Sequence, residues 1–333
     1  MTAPLDVSGE ELRATPEAVA EAAGGKAIQG RSLGQIAWMR LRRDKVAMTG
    51  GIVVIFLILV AIFAPLIVDW FGHPPNEFHQ EMIDTNTLGP KGGTGITKDF
   101  LFGVEPVNGR DLFSRVVYGS RISLLIAFLA TLLSVVIGTV MGIVAGYFGG
   151  WVDAVISRLM DIFLAFPLLV FALSLVGVLA QFETNLAVQG DTLRILLLIF
   201  VIGFFNWPYI GRIIRGQTLS LREREFVDAA RSLGARGPYI LFREILPNLI
   251  APILIYATLL IPSNVLFEAA LSFLGVSVQP PTATWGGMLA AAVKFYTMPH
   301  FMFFPGMAIF ITVLAFNLFG DGLRDALDPK SSR

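Results

Sequence analysis

Residues able to do chemistry are few in this chain, and their spacing favours no catalytic site. Cysteine is absent and there are three histidines, which removes thiolate catalysis, disulfides and cysteine metal sites. His73, Glu77 and His79 in "HPPNEFH" have the donor types that bind a divalent metal. No other histidine lies close in sequence and nothing in the pattern fixes a ligand geometry. We therefore predict a solvated, proline-stiffened loop and no metal site, and His300, which stands alone, indicates no specific chemistry.

Nucleotide binding is not predicted either. The stretch "GPKGGTGITK" is rich in glycine, but it lacks the GxxxxGK[ST] spacing with which backbone N–H groups and a lysine cradle phosphates. We expect no cofactor in this chain. Any use of ATP must then come from another chain.

The composition indicates the solvent in which these residues must be positioned. The chain is 55% hydrophobic and 15% charged, with a mean hydropathy of +0.70, which is more apolar and less charged than an ordinary soluble domain. A membrane protein is predicted. The formal net charge is zero, so the chain as a whole gives no reason to expect nucleic acid or an acidic substrate as a partner.

Six stretches lack Asp, Glu, Lys and Arg, or nearly so, over about the length that crosses a bilayer core of about 30 Å. We predict an all-α polytopic membrane protein with six transmembrane helices. The stretches are residues 46–68, 122–152, 162–182, 195–211, 245–267 and 295–320.

The same pattern divides the chain into five parts. The first stretch is too long and too far from the N-terminus for a cleaved signal peptide, so we interpret it as an uncleaved anchor. The first 30 residues of the chain are rich in Ala, Glu and Gly and contain no apolar run, which is typical of disorder. The predicted parts are a tail (1–45), the first transmembrane helix (46–68), a loop (69–118), a core with five further transmembrane helices (119–320) and a C-terminal tail (321–333).

Basic residues predict the orientation of the helices. They are concentrated before the first stretch and between the fourth and fifth, and the positive-inside rule places both regions in the cytoplasm. Both termini are then cytoplasmic and the loop 69–118 is extracytoplasmic. The basic residues are Arg40, Arg42, Arg43 and Lys45 in the first region, and Arg212, Arg215, Arg222, Arg224, Arg231, Arg236 and Arg243 in the second.

Three glycines in "GTVMGIVAG" lie on one face of the second predicted transmembrane helix. Gly138, Gly142 and Gly146 are one turn apart, and small residues at this spacing let a neighbouring backbone approach closely. Close helix packing is the favoured role, and lining a pore is the alternative.

The fifth predicted transmembrane helix contains features that suit either a pathway or a kink. Pro247, Pro252 and Pro262 interrupt it, and Ser263 and Asn264 follow the last of them. Prolines free carbonyl groups that need other partners, so such helices face protein or a water-filled path rather than lipid. Pro262, Ser263 and Asn264 are therefore candidate pathway-lining residues, with a purely structural kink as the alternative.

Ionisable residues within the predicted spans are rare. Arg158 and Asp161 at the start of the third span are spaced for a local i, i+3 pair, and Glu268 lies near the outer end of the fifth. Proton- or sodium-driven transporters and voltage sensors carry such charges at the membrane centre, so the sequence argues against both classes. The function classes that remain are a passive channel and a component of a pump.

The largest predicted cytoplasmic loop contains the stretch "EFVDAARSLGARGPYILFREILPNL", residues 225–249, which carries six charges. Its pattern predicts one short helix over 221–233 ended by a glycine cap at Gly234, and a second that begins near Pro238. The first helix combines Glu225, Asp228 and Arg231 with apolar and small residues (Phe226, Ala229, Ala230 and Leu233). Such a mixed face suits docking into a cleft on another protein, and a solvated loop is the alternative.

This segment resembles the EAA loop of ATP-binding-cassette importer permeases, whose pattern is Glu-Ala-Ala, three residues, Gly, nine residues and Ile-x-Leu-Pro. Asp228 stands for Glu, and Glu244 occupies the isoleucine position. The stretches "FGVEPVNGRDLFSRVVYGSRISL", "GYFGGWVD", "LSFLGVSVQPPTATWGGML" and "GDGLRDALDP" are similar to the C-type permease subunit of dipeptide, oligopeptide and nickel importers. The matching residues of the loop are Asp228, Ala229, Ala230, Gly234, Leu246 and Pro247.

The resemblance implies a type I importer permease fold and a set of partners. These are a homologous second permease in a heterodimer, two cytoplasmic ATPases that hold ATP and magnesium, and an extracytoplasmic substrate-binding protein. It implies that residues 221–247, with Glu225 and the matching residues, contact an ATPase. The chain would then be a subunit of the bacterial inner membrane and no enzyme, forming half of a pathway for short peptides; nickel, glutathione or opines are alternative substrates. A passive channel or a membrane scaffold is the alternative of a different class.

Overall fold

A computed structural model describes residues 33–182, 191–276 and 278–328. Helices dominate these ranges, and extended pairing within them is limited to two isolated bridges, Ile83 with Pro90 and Val104 with Asp111. The expected disorder of residues 1–30 and the end of the expected C-terminal tail lie outside the described residues. The helices are α1 (Leu33–Arg43), α2 (Lys45–Ile62), α3 (Ala64–Phe71), α4 (Leu112–Phe148), α5 (Gly150–Ala165), α6 (Leu168–Phe182), α7 (Asp191–Leu221), α8 (Glu225–Ser232), α9 (Gly237–Tyr239), α10 (Leu246–Phe273), α11 (Trp285–Ala292) and α12 (Pro299–Leu327).

Five helices in the described ranges are long and apolar enough to cross a membrane. Four of them are α2, α4, α7 and α12, and the fifth is the continuous helical segment Gly237–Phe273, which includes α10. The pair α5 and α6 passes the same test as one unit, bent by 76°. The prediction of an all-α membrane protein is confirmed, and the count reaches six if the bent pair forms one span.

The predicted third span, 162–182, is not one straight helix. Phe166 leaves the helical region with φ −75° and ψ 127°, because the ring of Pro167 disfavours a helical conformation for the residue before it. The first span is broken in a similar way, since α2 ends at Ile62 and α3 begins with Pro65 in its first turn. The prolines therefore divide two predicted spans into shorter helices.

The first described helix packs against the end of the last one. Ala37 and Leu41 of α1 are buried, and the guanidinium Nη1 of Arg40 donates a hydrogen bond of 2.8 Å to the carbonyl oxygen of Asp328. Asp44 then caps α2, because its Oδ1 accepts from the N–H groups of Val46 and Ala47. A short helix thus precedes the first span in the predicted tail, and α12 continues beyond the predicted end at residue 320.

Helices α4 and α7 make the most extensive helix–helix contact among the described residues. The three glycines of α4 lie against α7: a Cβ added to Gly138 would be 2.7 Å from the carbonyl oxygen of Trp207, and one added to Gly142 would be 2.6 Å from that of Gly211. A Cβ on Gly146 would be 2.9 Å from the carbonyl oxygen of Arg215. The backbones approach so closely only because these positions lack side chains. Within this chain the glycines serve helix packing rather than an open pore.

Candidate functional site: the charged segment and its support

Helix α8 is the first part of the charged segment. It begins at Glu225 rather than at residue 221, because α7 continues through Leu221 and Arg224 has an extended conformation. The carbonyl oxygen of Arg224 accepts from the N–H groups of Val227 and Asp228 at 2.9 and 3.2 Å. The predicted helix therefore exists but is shorter, since the residues before it belong to the preceding helix and a turn.

Gly234 ends α8 in the left-handed region, with φ +82°. The N–H of Ala235 donates to the carbonyl oxygen of Ala230 at 3.0 Å, which is the six-to-one bond of a Schellman cap. A Cβ added to Gly234 meets nothing within 4 Å. The glycine is required by the backbone conformation rather than by lack of space.

One fully buried apolar side chain of α8 packs against the membrane helices. Val227 is fully buried and packs in one cluster with Ile240, Ile245, Leu249 and Ile214. Ile240–Ile245 form a π-helical segment that leads into α10, and Ile214 belongs to α7. Sequence reasoning missed Val227, because which of the large apolar residues Phe226, Val227 and Leu233 is buried depends on the helices that pack against α8.

The opposite surface of the segment carries large apolar side chains that the described part of the chain leaves exposed. Leu233 is 89% exposed, Phe242 69% and Tyr239 51%. Between α8 and α9 lies an open cleft of about 490 Å³, whose lining includes Leu233, Gly234 and Tyr239. Exposed apolar groups of this size beside charged residues are typical of a protein-binding surface.

The predicted contact residues are distributed over both surfaces. Glu225, Asp228, Ala229 and Pro247 are exposed, whereas Ala230 and Leu246 are half-buried against the cluster around Val227. Asp228 accepts from Arg231 at 3.3 Å, and both side chains are so exposed that the pair contributes little stability. The outward-facing set is therefore Glu225, Asp228 and Ala229, joined by Leu233, Tyr239 and Phe242.

The candidate pathway residues also include both buried and exposed side chains. Asn264 is fully buried: its Nδ2 donates to the Thr131 hydroxyl at 2.8 Å and its Oδ1 accepts from Asn206 at 3.0 Å. These bonds join α10 to α4 and α7. Pro262 is also buried, and Ser263 is exposed. Of the three, Ser263 alone faces outward from this chain.

Glu268 is buried in α10 without a cationic partner among the described residues. Its carboxylate oxygens accept from the hydroxyl groups of Ser272 at 2.9 Å and Ser123 at 3.2 Å. The Ser123 hydroxyl oxygen accepts in turn from the N–H of Trp285. The side chain thus joins α10, α4 and the start of α11.

Acidic residues of α5 pair with arginines of α7. Asp161 accepts from Arg212 at 2.7 Å, so the predicted local pair with Arg158 is not formed. Arginine N-terminal to the acid is the less favourable order for a local helical pair, and the neighbouring helix offers a better placed donor. Asp153 binds Arg215 through both carboxylate oxygens. Two ion pairs therefore tie α5 to α7 beside the charged segment.

The histidines form no metal site in the described part of the chain. His73 stacks on Phe100 with ring centroids 4.4 Å apart, and His79 meets His73 edge-on at 5.0 Å. No group of three or more His, Cys, Asp or Glu side chains among the described residues could hold a metal ion. His300 is buried, and its Nε2 lies 3.2 Å from the carbonyl oxygen of Val104. These rings pack the loop that precedes α4.

Comparison with known proteins agrees with this architecture. A family model described as "binding-protein-dependent transport system inner membrane component" matches residues 138–333, and one for the N-terminal transmembrane domain of oligopeptide transport permease C matches residues 32–90. The glutathione transport system permease protein GsiD of Shigella flexneri is 42% identical over 294 residues, which are 88% of this chain and 89% of the relative. GsiD of Escherichia coli O157:H7 is 41% identical over the same shares.

A relative with another name has the same degree of similarity. The dipeptide transport system permease protein DppC of Alkalihalophilus pseudofirmus is 40% identical over 295 residues, again 88% of this chain and 89% of the relative. These relatives are permease subunits and not enzymes. The chain belongs to the family of inner-membrane permease subunits of binding-protein-dependent, ATP-binding-cassette importers.

Proposed function

We propose that this permease subunit forms one half of a pathway for short peptides and that residues 221–247 couple the pathway to ATP hydrolysis. The other half would be a homologous permease, and two cytoplasmic ATPases would hold ATP and magnesium. A substrate-binding protein would deliver the peptide from outside. The names of the relatives, for dipeptide and for glutathione, itself a tripeptide, support a peptide substrate.

The proposed orientation places both termini in the cytoplasm. Support comes from basic residues in α1 and in the segment that follows α7, which lie on the same side of the helices if the bent pair α5 and α6 is one span. The loop between α3 and α4 is then extracytoplasmic.

The observation that carries the coupling proposal is the uncovered apolar surface of the charged segment. By the proposed orientation Leu233, at the end of α8, lies in the cytoplasm and not in lipid, and it is 89% exposed. Fully burying a leucine side chain contributes about 1.5–3 kcal/mol. Contact with an ATPase would supply this burial, and the adjoining cleft would accept side chains of that partner.

The interior of the bundle offers a route for the resulting movement. A displacement of α8 acts on Val227, which packs against the π-helical segment, α10 and α7. Packed cores move as units rather than deforming continuously. Closure of the ATPases would therefore shift α10 and α7 together and open the pathway to alternate sides.

The test is Leu233→Asp in the assembled importer. We expect loss of ATPase co-purification and of peptide uptake, since a carboxylate replaces the apolar contact, with normal amounts of the subunit in the membrane because Leu233 has no packing role in this chain. Leu233→Met is the matched control and should keep both activities. Full uptake and a bound ATPase in Leu233→Asp would show that this surface is not the coupling contact.

Uptake measurements also distinguish the substrates. Vesicles that contain the complete importer and its binding protein should accumulate a labelled dipeptide or glutathione when ATP is supplied. Accumulation of nickel or an opine, without either peptide, would contradict the peptide assignment but not the coupling surface.

A further inference from the structure

A buried charged cluster lies where the loop after α3 enters α4. One carboxylate, that of Glu105, binds two guanidinium groups: its Oε2 is 2.7 Å from Nη2 of Arg110, and its Oε1 is 2.5 Å from Nε of Arg115. Arg115 also donates to the carbonyl oxygen of Pro281 at 3.0 Å. Glu105, Arg110 and Arg115 are 3%, 8% and 4% exposed. The cluster is thus largely removed from water, and the small part that stays accessible lines a cleft.

The cluster carries more positive than negative charge. Two guanidinium groups and one carboxylate leave one positive charge, and the other acceptors of Arg115 are neutral oxygens of Pro75, Asn76 and Pro281. The neighbouring carboxylate of Asp111 is also fully buried, but it accepts from the Ser114 hydroxyl and from the N–H groups of His73 and Phe113 rather than from either arginine. A buried charge without a counter-charge is costly, and a further anion at hydrogen-bonding distance offsets that cost. The arrangement therefore favours binding of an external anion.

An open cleft gives an anion access to this charge. Its volume is about 370 Å³, and its lining includes Glu105, Arg110, Arg115, Thr284 and Lys294. Lys294 is exposed, and its ammonium group has no acidic partner among the described residues. Asp191 is another nearby carboxylate; it accepts from the hydroxyl of Thr282, another lining residue, and does not itself line the cleft. Among the described residues that line it, this cleft, here called the socket, has three cationic side chains and one carboxylate.

We infer that this socket receives an acidic side chain of the extracytoplasmic substrate-binding protein when that protein docks. The inference rests on the proposed orientation, which puts the loop before α4 and the connection from α10 to α11 on the outer side. The family is binding-protein-dependent, so a protein must contact this side. An aspartate or glutamate inserted between Lys294 and Arg110 would neutralise the one positive charge of the cluster. This contact would attract the binding protein and fix its position on the permease.

The primary test measures docking in the assembled importer in vesicles. Binding protein of the same transport system is titrated, and ATP hydrolysis is recorded. Lys294→Glu should raise the concentration for half-maximal stimulation about ten-fold at low salt, and the difference should shrink at high salt. Lys98→Glu is the matched control, because Lys98 is an exposed lysine of the outer loop that does not line the cleft. No shift in Lys294→Glu, or an equal shift in Lys98→Glu, would overturn the inference.

Carbodiimide cross-linking identifies the anion directly, because it joins an ammonium group to a carboxylate in contact with it. In the docked complex Lys294 should be linked to an acidic residue of the binding protein, as detected by mass spectrometry. Lys294→Arg should lose the link while it retains normal stimulation. A link to the transported peptide instead, with unchanged docking, would show that the socket serves the substrate and refute the inference. Stimulation can be measured even if the substrate is not a peptide, so this test does not depend on that part of the proposed function.

Discussion

The proposed transmission of movement depends on Val227. Of the residues of α8, Val227 is the one that is fully buried against the membrane helices. Leu233 and Val227 lie on different surfaces of one short segment, so binding of a partner and transmission of its movement can be separated by mutation. Ala230 is less suitable for either purpose, since it is half-buried against the same cluster and a bulky substitution there disturbs the bundle itself.

Val227→Ala should weaken transmission while it preserves binding. Removal of two methyl groups from this cluster costs about 1–2 kcal/mol of local packing, which allows α8 to move without α7 and α10. We expect the ATPase to co-purify as in the wild type, with less peptide transported per ATP hydrolysed. Val227→Ile is the control that keeps the side chain apolar and large. Wild-type transport per ATP in Val227→Ala would show that movement does not pass through this residue.

The helices illustrate which features of this fold the sequence determines locally. The left-handed backbone conformation at Gly234 follows from the glycine that comes directly after a short helix. The close packing of α4 against α7 follows from glycines spaced one helical turn apart. The bend at Phe166 is also local, because Pro167 follows it. The burial of Val227 and the pairing of Asp161 with Arg212, in contrast, depend on which helices become neighbours. That information is not contained in the spacing within one helix, and it explains why the local Arg158 pair was the wrong prediction.

The contact between α4 and α7 is sensitive to side-chain size. In Gly142→Leu the new Cβ alone would lie 2.6 Å from the Gly211 carbonyl oxygen and 3.0 Å from the Arg215 nitrogen. Both neighbours are backbone atoms that cannot rotate away, so we expect a destabilisation of about 3 kcal/mol or more. Thermal unfolding in detergent and the amount of subunit in the membrane measure it. Gly216→Leu is the control on α7, since a Cβ there meets nothing within 4 Å. Equal stability of the two variants would contradict the close packing.

The molecule as a whole has to present two different surfaces to two different compartments. In the proposed function, the charged segment after α7 would offer apolar anchors to an ATPase, and the loop before α4 would offer the cationic socket to a binding protein. Coupling across the membrane is possible only if the two lie on opposite sides, with α4, α7 and α10 between them. The orientation is therefore the property on which both interaction surfaces depend.

Cysteine labelling tests this orientation in a chain that has no cysteine of its own. Asp99→Cys and Ser232→Cys place single thiols at exposed positions in the outer loop and at the end of α8. In cells whose outer membrane has been permeabilised and whose inner membrane is intact, a membrane-impermeant maleimide should label residue 99 and not residue 232. In inside-out vesicles the result should be reversed, because the reagent then reaches only the cytoplasmic side. Both variants should be labelled fully after solubilisation in detergent, which controls for buried thiols. Labelling of both positions from one side would place the coupling segment and the socket in the same compartment, and neither the proposed coupling nor the proposed docking could then be correct.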